Sequence, residues 1–119
     1  MRRDEQRLAD ILEALDSVAL ITNGLSESEF LAGETIYFAV AHRLTVAGEA
    51  VARLSAELRG KHEDVPWADI VAFRNILVHE YFGIHWPLVW QTVSEHAPEL
   101  RRRIAAILGA EFPPQPLGG

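Results

Sequence analysis

Apolar residues recur along most of this 119-residue chain at spacings of three and four, the period of an amphipathic helix. Leu8, Ile11, Leu12, Leu15, Val18 and Ala19 predict a first helix, which Asn23-Gly24 can end. Ser26 and Glu29 predict a capping box, with Leu25 and Phe30 as its hydrophobic staple, and therefore the start of a short second helix. Tyr37, Val40, Leu44, Ala47, Val51 and Leu54 predict a long third helix over 33–54. Gly48 interrupts it at a cost of about 1 kcal/mol relative to Ala. The position is either tolerated or required by the close approach of a neighbouring helix.

Residues 59–66 are polar and carry breakers, so they predict a connection. Pro66 suits the first turn of a fourth helix over 67–79, where Asp69 faces a favourable helix dipole. Gly83 lies just past its expected end. Pro87 can open a fifth helix carried by Leu88, Val89, Val93, Leu100, Ile104, Ile107 and Leu108. Pro98 must kink or divide that helix, because it lacks a backbone donor and clashes one turn back. No stretch alternates with period two. The expected fold is all-α, a single-domain bundle of four to five main helices over 1–112, with a disordered tail over 113–119.

Composition narrows the function classes. An apolar share of 49% with 24% charged residues excludes global disorder. No apolar run approaches the ~18 residues of a membrane span, and the first residues lead into no signal-type stretch. Zero Cys excludes disulfides and thiolate metal sites and, with these points, predicts a cytoplasmic protein with no membrane partner. A net charge of −6 argues against a broad basic surface coating nucleic acid, and DNA is not expected as a partner. Lys61 is the single lysine; the remaining cations are Arg, planar and suited to bidentate grip on phosphate or carboxylate.

The fourth helix holds the unusual chemistry. Arg74 falls beside an apolar stripe of Ile70, Phe73 and Leu77. A cation there must pair with an internal acid such as Glu49, snorkel to solvent, or face a cleft or subunit interface that binds an anion. His79 follows five residues later, about 140° around an ideal helix. The two converge only if the helix unwinds near His79 or if two copies of the segment face each other. His79 alone reads equally as a cap or surface residue, and Tyr81 as a ring packed at the helix end. What stands out is company: Arg74, Asn75, His79 and Tyr81 put four polar functional groups into eight residues. Glu49 is also a candidate general base, or an ion-pair partner of Arg74 or Arg43. Arg101, Arg102 and Arg103 form either a solvated helix face or an RNA-tracking patch. His42, His62, His85 and His96 lack metal-ligand spacing, so neither a metal nor a cofactor is expected.

The run from Arg74 to Tyr81 has the form Arg, four residues, His, one residue, Tyr. It resembles the signature of the HEPN superfamily, specifically its HepT-like ribonuclease toxins. The similarity extends over Gly48-Glu49-Ala50, Leu54 to Arg59, Val65-Pro66-Trp67, Tyr81-Phe82-Gly83 and Trp90, spanning residues 4–108. The resemblance implies a HEPN-like homodimer that brings two Arg74 and two His79 into one cleft, with Asn75 beside them. It implies metal-independent RNA cleavage by a type II/VII-like toxin. The implied partner is an MNT-type nucleotidyltransferase antitoxin that transfers AMP from ATP to Tyr81. His42 and His85 depart from the family pattern, where Arg and an acidic or amide residue are expected, and this bears on substrate or partner preference.

The implied chemistry is self-consistent. Attack of a ribose 2′-hydroxyl on the adjacent phosphate needs a base and an acid, and imidazole, with a pKa near ~6.5, can be either. Arg74 would meet the charge on the phosphoryl oxygens, while Asn75 would hold the phosphate or orient His79. An alternative is a non-catalytic nucleotide- or substrate-binding subunit of a two-component nucleotidyltransferase, with Arg74 as a phosphate clamp. An intact His79 favours the nuclease, because a clamp has no need of a titratable group. Under either reading the acidic balance confines the anion to a local site.

Overall fold

The computed structural model describes residues 2–115. Seven α-helices follow one another: α1 (Arg2–Thr22), α2 (Glu27–Ala32), α3 (Glu34–Ala52), α4 (Ala56–Lys61), α5 (Trp67–His79), α6 (Trp86–Gln91) and α7 (Ala97–Glu111). No strand occurs among the described residues. The expected all-α single domain is what forms, with α1, α3, α5 and the α6–α7 unit as the main helices. The tail expected over 113–119 lies partly outside the described residues; 113–115 take no regular structure.

Burial follows the predicted stripes. Leu8, Ile11, Leu15 and Val18 of α1 are buried against α3 and α7. α3 packs on α1 on one side and α5 on the other. A helix with neighbours on both sides needs small residues at the contacts, and Ala41, Ala47, Gly48 and Ala50 are all buried. The body measures 52 × 28 × 20 Å, about two helix diameters in its thin direction. α5 lies at the edge, packing on α3 and on the turn that follows it.

The ends of the helices follow their residues. Gly24 takes the left-handed conformation (φ 78°) after α1. Ser26 Oγ accepts from the Glu29 amide while the Glu29 carboxylate accepts from the Ser26 amide, completing the capping box of α2. Buried Asp4 belongs to the same face of α1 as Leu8 and Ile11. Its carboxylate accepts from the Ser55 amide (2.9 Å) and hydroxyl (2.6 Å), and Ser55 Oγ caps α4 by accepting from the Leu58 amide.

Two expectations need correction. The segment 59–66 is not wholly a connection, because Ser55 starts α4 and the helix runs through Gly60 to Lys61. Its end is held by side chains rather than by propensity: Trp67 Nε1 donates to the Arg59 and His62 carbonyls, and His62 pairs with Glu111 of α7 at 2.8 Å. Pro66 precedes α5 at its N-cap position instead of lying within the first turn. Pro98 divides the last helix as expected, though not by a simple kink. A π-helical turn over Thr92–His96 joins α6 to α7, with the Ala97 amide donating to the Thr92 carbonyl five residues back. Pro98 then sits at the start of α7, directly after this turn.

Candidate functional site

Arg74 is fixed by two residues of α3. Its stem lies over Gly48, where an added Cβ would overlap Arg74 Cβ and come within 2.7 Å of its Cγ. Its Nη1 donates to the Glu49 carboxylate one position further along. Of the three arrangements open to Arg74, the ion pair with Glu49 is therefore the one formed. The Arg74 side chain is 18% exposed and that of Glu49 44% exposed. The Arg74 Nε is buried and finds no acceptor among the described residues. Glu49 also lines a groove of about 260 Å³ between α1 and α3, together with Arg7, Arg43 and Arg53. The carboxylate thus bridges Arg74 to an open, mixed-charge surface.

His79 closes α5 and is exposed. The helix stays regular to its end, and the Glu80 amide still donates to the Ile76 carbonyl. Unwinding therefore does not bring His79 round to Arg74, and within one protomer the two remain about 140° apart on the helix. Asn75 and Ile76 are exposed, as are Ala68 and Ala72. These positions share the outward stripe with His79 at three- and four-residue spacing. Ile76 (40%) and Val78 (45%) leave apolar area in water, which marks this end of α5 as unpartnered in the protomer.

Beyond α5 the chain makes a 3₁₀ turn over Tyr81–Gly83, closed by the Gly83 amide on the Glu80 carbonyl at 2.8 Å. The Tyr81 ring stacks nearly parallel on Phe38 of α3 (centroids 5.4 Å, 12°) and stays half exposed. Its ring is thus packed at the helix end. Phe82 beside it is fully exposed. Neither Phe38 nor Phe82 was singled out by periodicity, because each lies off the apolar stripes; the adjacency of Phe82 to the motif was the available signal.

The three consecutive arginines of α7 are all engaged. Arg101 donates to Asp16 of α1 at 2.6 Å, Arg102 pairs with Glu99, and Arg103 pairs with Glu99 and lies 3.7 Å from Asp64. Hydrogen bonding from Arg101 holds the Asp16 carboxyl below its usual range, and that from Arg103 does the same to Glu99. Arg103 borders a largely apolar cleft of about 550 Å³ that it shares with Phe73, His96 and Asp69. His42 is exposed on α3, and His85 precedes α6 at its N-cap position. Among the described residues, no three His, Asp or Glu side chains converge on a common metal position.

A family model described as "Ribonuclease HepT-like" matches residues 11–107. A protein of Methanocaldococcus jannaschii that carries a provisional RNase name is 36% identical over 84% of this chain and 92% of its own length. Another so named, from Caldanaerobacter subterraneus subsp. tengcongensis, is 33% identical over 93% of this chain and 99% of its own. A Thermococcus cleftensis protein named "Probable ribonuclease HepT" is 31% identical over 84% of this chain and 91% of its own. None of the solved structures matches the chain.

Proposed function

This chain belongs to the HepT-like ribonuclease family, and from that premise we propose that it is a metal-independent endoribonuclease toxin acting as a homodimer through α5. The observation that carries the reading is the stripe on α5, where Asn75, Ile76 and His79 are exposed together on an edge helix that α3 covers on one side only. Pairing of two such stripes would remove Ile76 from water. It would also put two His79 side chains in one cleft, which Arg74 reaches only by releasing Glu49.

In that cleft the 2′-hydroxyl of the substrate loses its proton to one His79 and attacks the adjacent phosphorus. The P–O5′ bond breaks, and the other His79, protonated, supplies the leaving oxygen with its proton. Arg74 exchanges Glu49 for the phosphoryl oxygens, where a charge-assisted donor is worth most as negative charge accumulates. Asn75 holds the phosphate or orients His79. The products carry a 2′,3′-cyclic phosphate and a 5′-hydroxyl. The half-exposed Tyr81, backed by Phe38, supports modification by a nucleotidyltransferase antitoxin: its phenolic oxygen displaces pyrophosphate from ATP, and the attached AMP competes for Arg74 and fills the cleft.

The test is expression without a partner, followed by purified protein on mixed RNA with and without EDTA. Growth arrest relieved by Arg74→Ala and by His79→Ala, with EDTA-resistant cleavage leaving cyclic phosphate ends, is the expected result. Products with plain 3′-hydroxyls would sink the mechanism. An innocuous wild type that binds nucleotide would instead identify the non-catalytic binding subunit.

A further inference from the structure

Six aromatic rings form a connected series from the core to the surface. Phe30 is fully buried and lies 6.2 Å from Tyr37, which stacks on Trp86 at 4.1 Å. Trp86 meets Phe38 edge-on at 5.3 Å, and Phe38 stacks on Tyr81 at 5.4 Å. Tyr81 in turn meets Phe82 at 5.3 Å and 90°. The series ends in water, because Phe82 is fully exposed. Among the described residues its ring meets only that of Tyr81, at right angles, and the 3₁₀ turn holds its backbone out from the end of α5. Exposed apolar residues are ordinary singly, but an aromatic ring wholly in water, at the end of a run of ring contacts and three residues from a candidate catalytic imidazole, is not.

We propose that Phe82 is the base-stacking residue of the RNA site and that it restricts the substrate to unpaired nucleotides. The inference deepens the reading above and rests on it. Three residues of chain span at most about 11 Å, so a base next to a phosphate held at His79 can reach the Phe82 ring. Charge favours a base here over a phosphate, since exposed Glu80 lies between His79 and the turn. Charge also explains the need for stacking. Arg74, Arg101, Arg102, Arg103 and Lys61 are each tied to a carboxylate. The protein as a whole carries −6, and the further arginines Arg43 and Arg53 line the groove between α1 and α3, so charge balance gives a phosphate backbone little general attraction. Stacking supplies affinity that does not depend on net charge. Every base has a π-face, so the shelf tolerates sequence; it rejects duplex, whose bases are already stacked on their neighbours.

The experiment uses a fluorescein-labelled single-stranded RNA with 2′-O-methyl sugars, which keeps its bases but lacks the nucleophile. Anisotropy gives its affinity for wild type, Phe82→Ala and Phe82→Trp, with sedimentation velocity on all three. The expected result is binding weakened about 5- to 150-fold by Phe82→Ala, retained by Phe82→Trp, and lost when the RNA is annealed to its complement. Unchanged binding by Phe82→Ala overturns the proposal. So does a change in oligomeric state accompanying the loss, which would make Phe82 part of a protein interface. If wild type binds the analogue through Phe82 yet leaves ordinary RNA uncut, the nuclease reading falls and the stacking site stands. If it binds neither, both fall.

Discussion

Gly48 leaves open the volume that Arg74 fills: the one hydrogen in place of a side chain lets α5 settle on α3 with the Arg74 stem between them. The clash a Cβ would create is with Arg74 Cβ as well as Cγ. The position of a Cβ is set by its own backbone, so rotation of the side chain cannot relieve it. The register that carries Arg74 to Glu49 therefore depends on a residue with no side chain.

Gly48→Ala should cost stability despite the better helix former. The propensity gain of about 1 kcal/mol is set against an overpacking cost of about 1–3 kcal/mol, giving a net loss of up to about 2 kcal/mol. Urea denaturation measures it, and a variant as stable as wild type would mean that α5 can move off α3 freely.

Arg74 and His79 should separate by readout. His79→Ala is expected to leave stability within about 0.5 kcal/mol, since the side chain is exposed, while lowering kcat about 10²- to 10⁴-fold. Arg74→Ala should lower kcat about 10²- to 10³-fold and also lower Tm, because it empties the contact over Gly48 and strands Glu49. Arg74→Lys should not restore activity, as a point charge cannot hold a phosphate with two parallel donors. Single-turnover kinetics with parallel melting curves check all three.

Asp4→Ala should destabilise the fold by about 1–3 kcal/mol, because the Ser55 amide and hydroxyl lose their acceptor in a buried corner. Loss of that anchor loosens the start of α4, so hydrogen exchange at the Leu58 amide should rise before the core amides change. Exchange that rises uniformly would show that the corner is not a separate unit.

Acid should act through carboxylates at the helix ends and between helices. The Ser26 amide holds Glu29 below its usual range, His62 does the same to Glu111, and Arg101 to Asp16. Each has a folded-state pKa below the unfolded one, so its stabilising effect is complete above the ordinary glutamate value of 4.5 and disappears as pH falls through the depressed folded values. Tm should hold from neutrality down to that region and fall below it. The decline should be shallow, because these groups are solvent-screened. A melting temperature that rises on acidification would reverse the sign and refute the assignment.

RNA affinity should depend weakly on salt. If about two to four counterions are released, log K for a single strand falls with log salt at a slope of about −1.4 to −2.8. A steeper slope would mean that Arg101, Arg102 and Arg103 leave Asp16, Glu99 and Asp64 to follow the RNA backbone. Charge reversal at Arg102, the most exposed of the three, would then weaken binding.

Much of this arrangement was legible in the chain. The stripes of α1, α3 and α5 depend on residue spacing, which a helix converts directly into a buried face. The capping box of Ser26 and Glu29 and the stop at Gly24 are local, so neighbouring residues determine them. Glu49 was recognisable as a partner for Arg74 because a cation beside an apolar stripe needs one. The short α4 was not legible. Its polar residues and Gly60 argue for a loop, and it is held by Asp4, Trp67 and Glu111, which are distant in sequence or lie beyond its end.

What the sequence determined alone is the helical class, the core faces and the set of residues from Arg74 to Tyr81, since periodicity and motif are properties of order along the chain. Tertiary structure decided that Gly48 is a seat for Arg74, that Asp16 of α1 reaches Arg101, and that Phe82 stands open at the end of an aromatic series. Each of these depends on which side chain from a remote helix reaches the same few ångströms of space, and spacing along one helix carries no record of that.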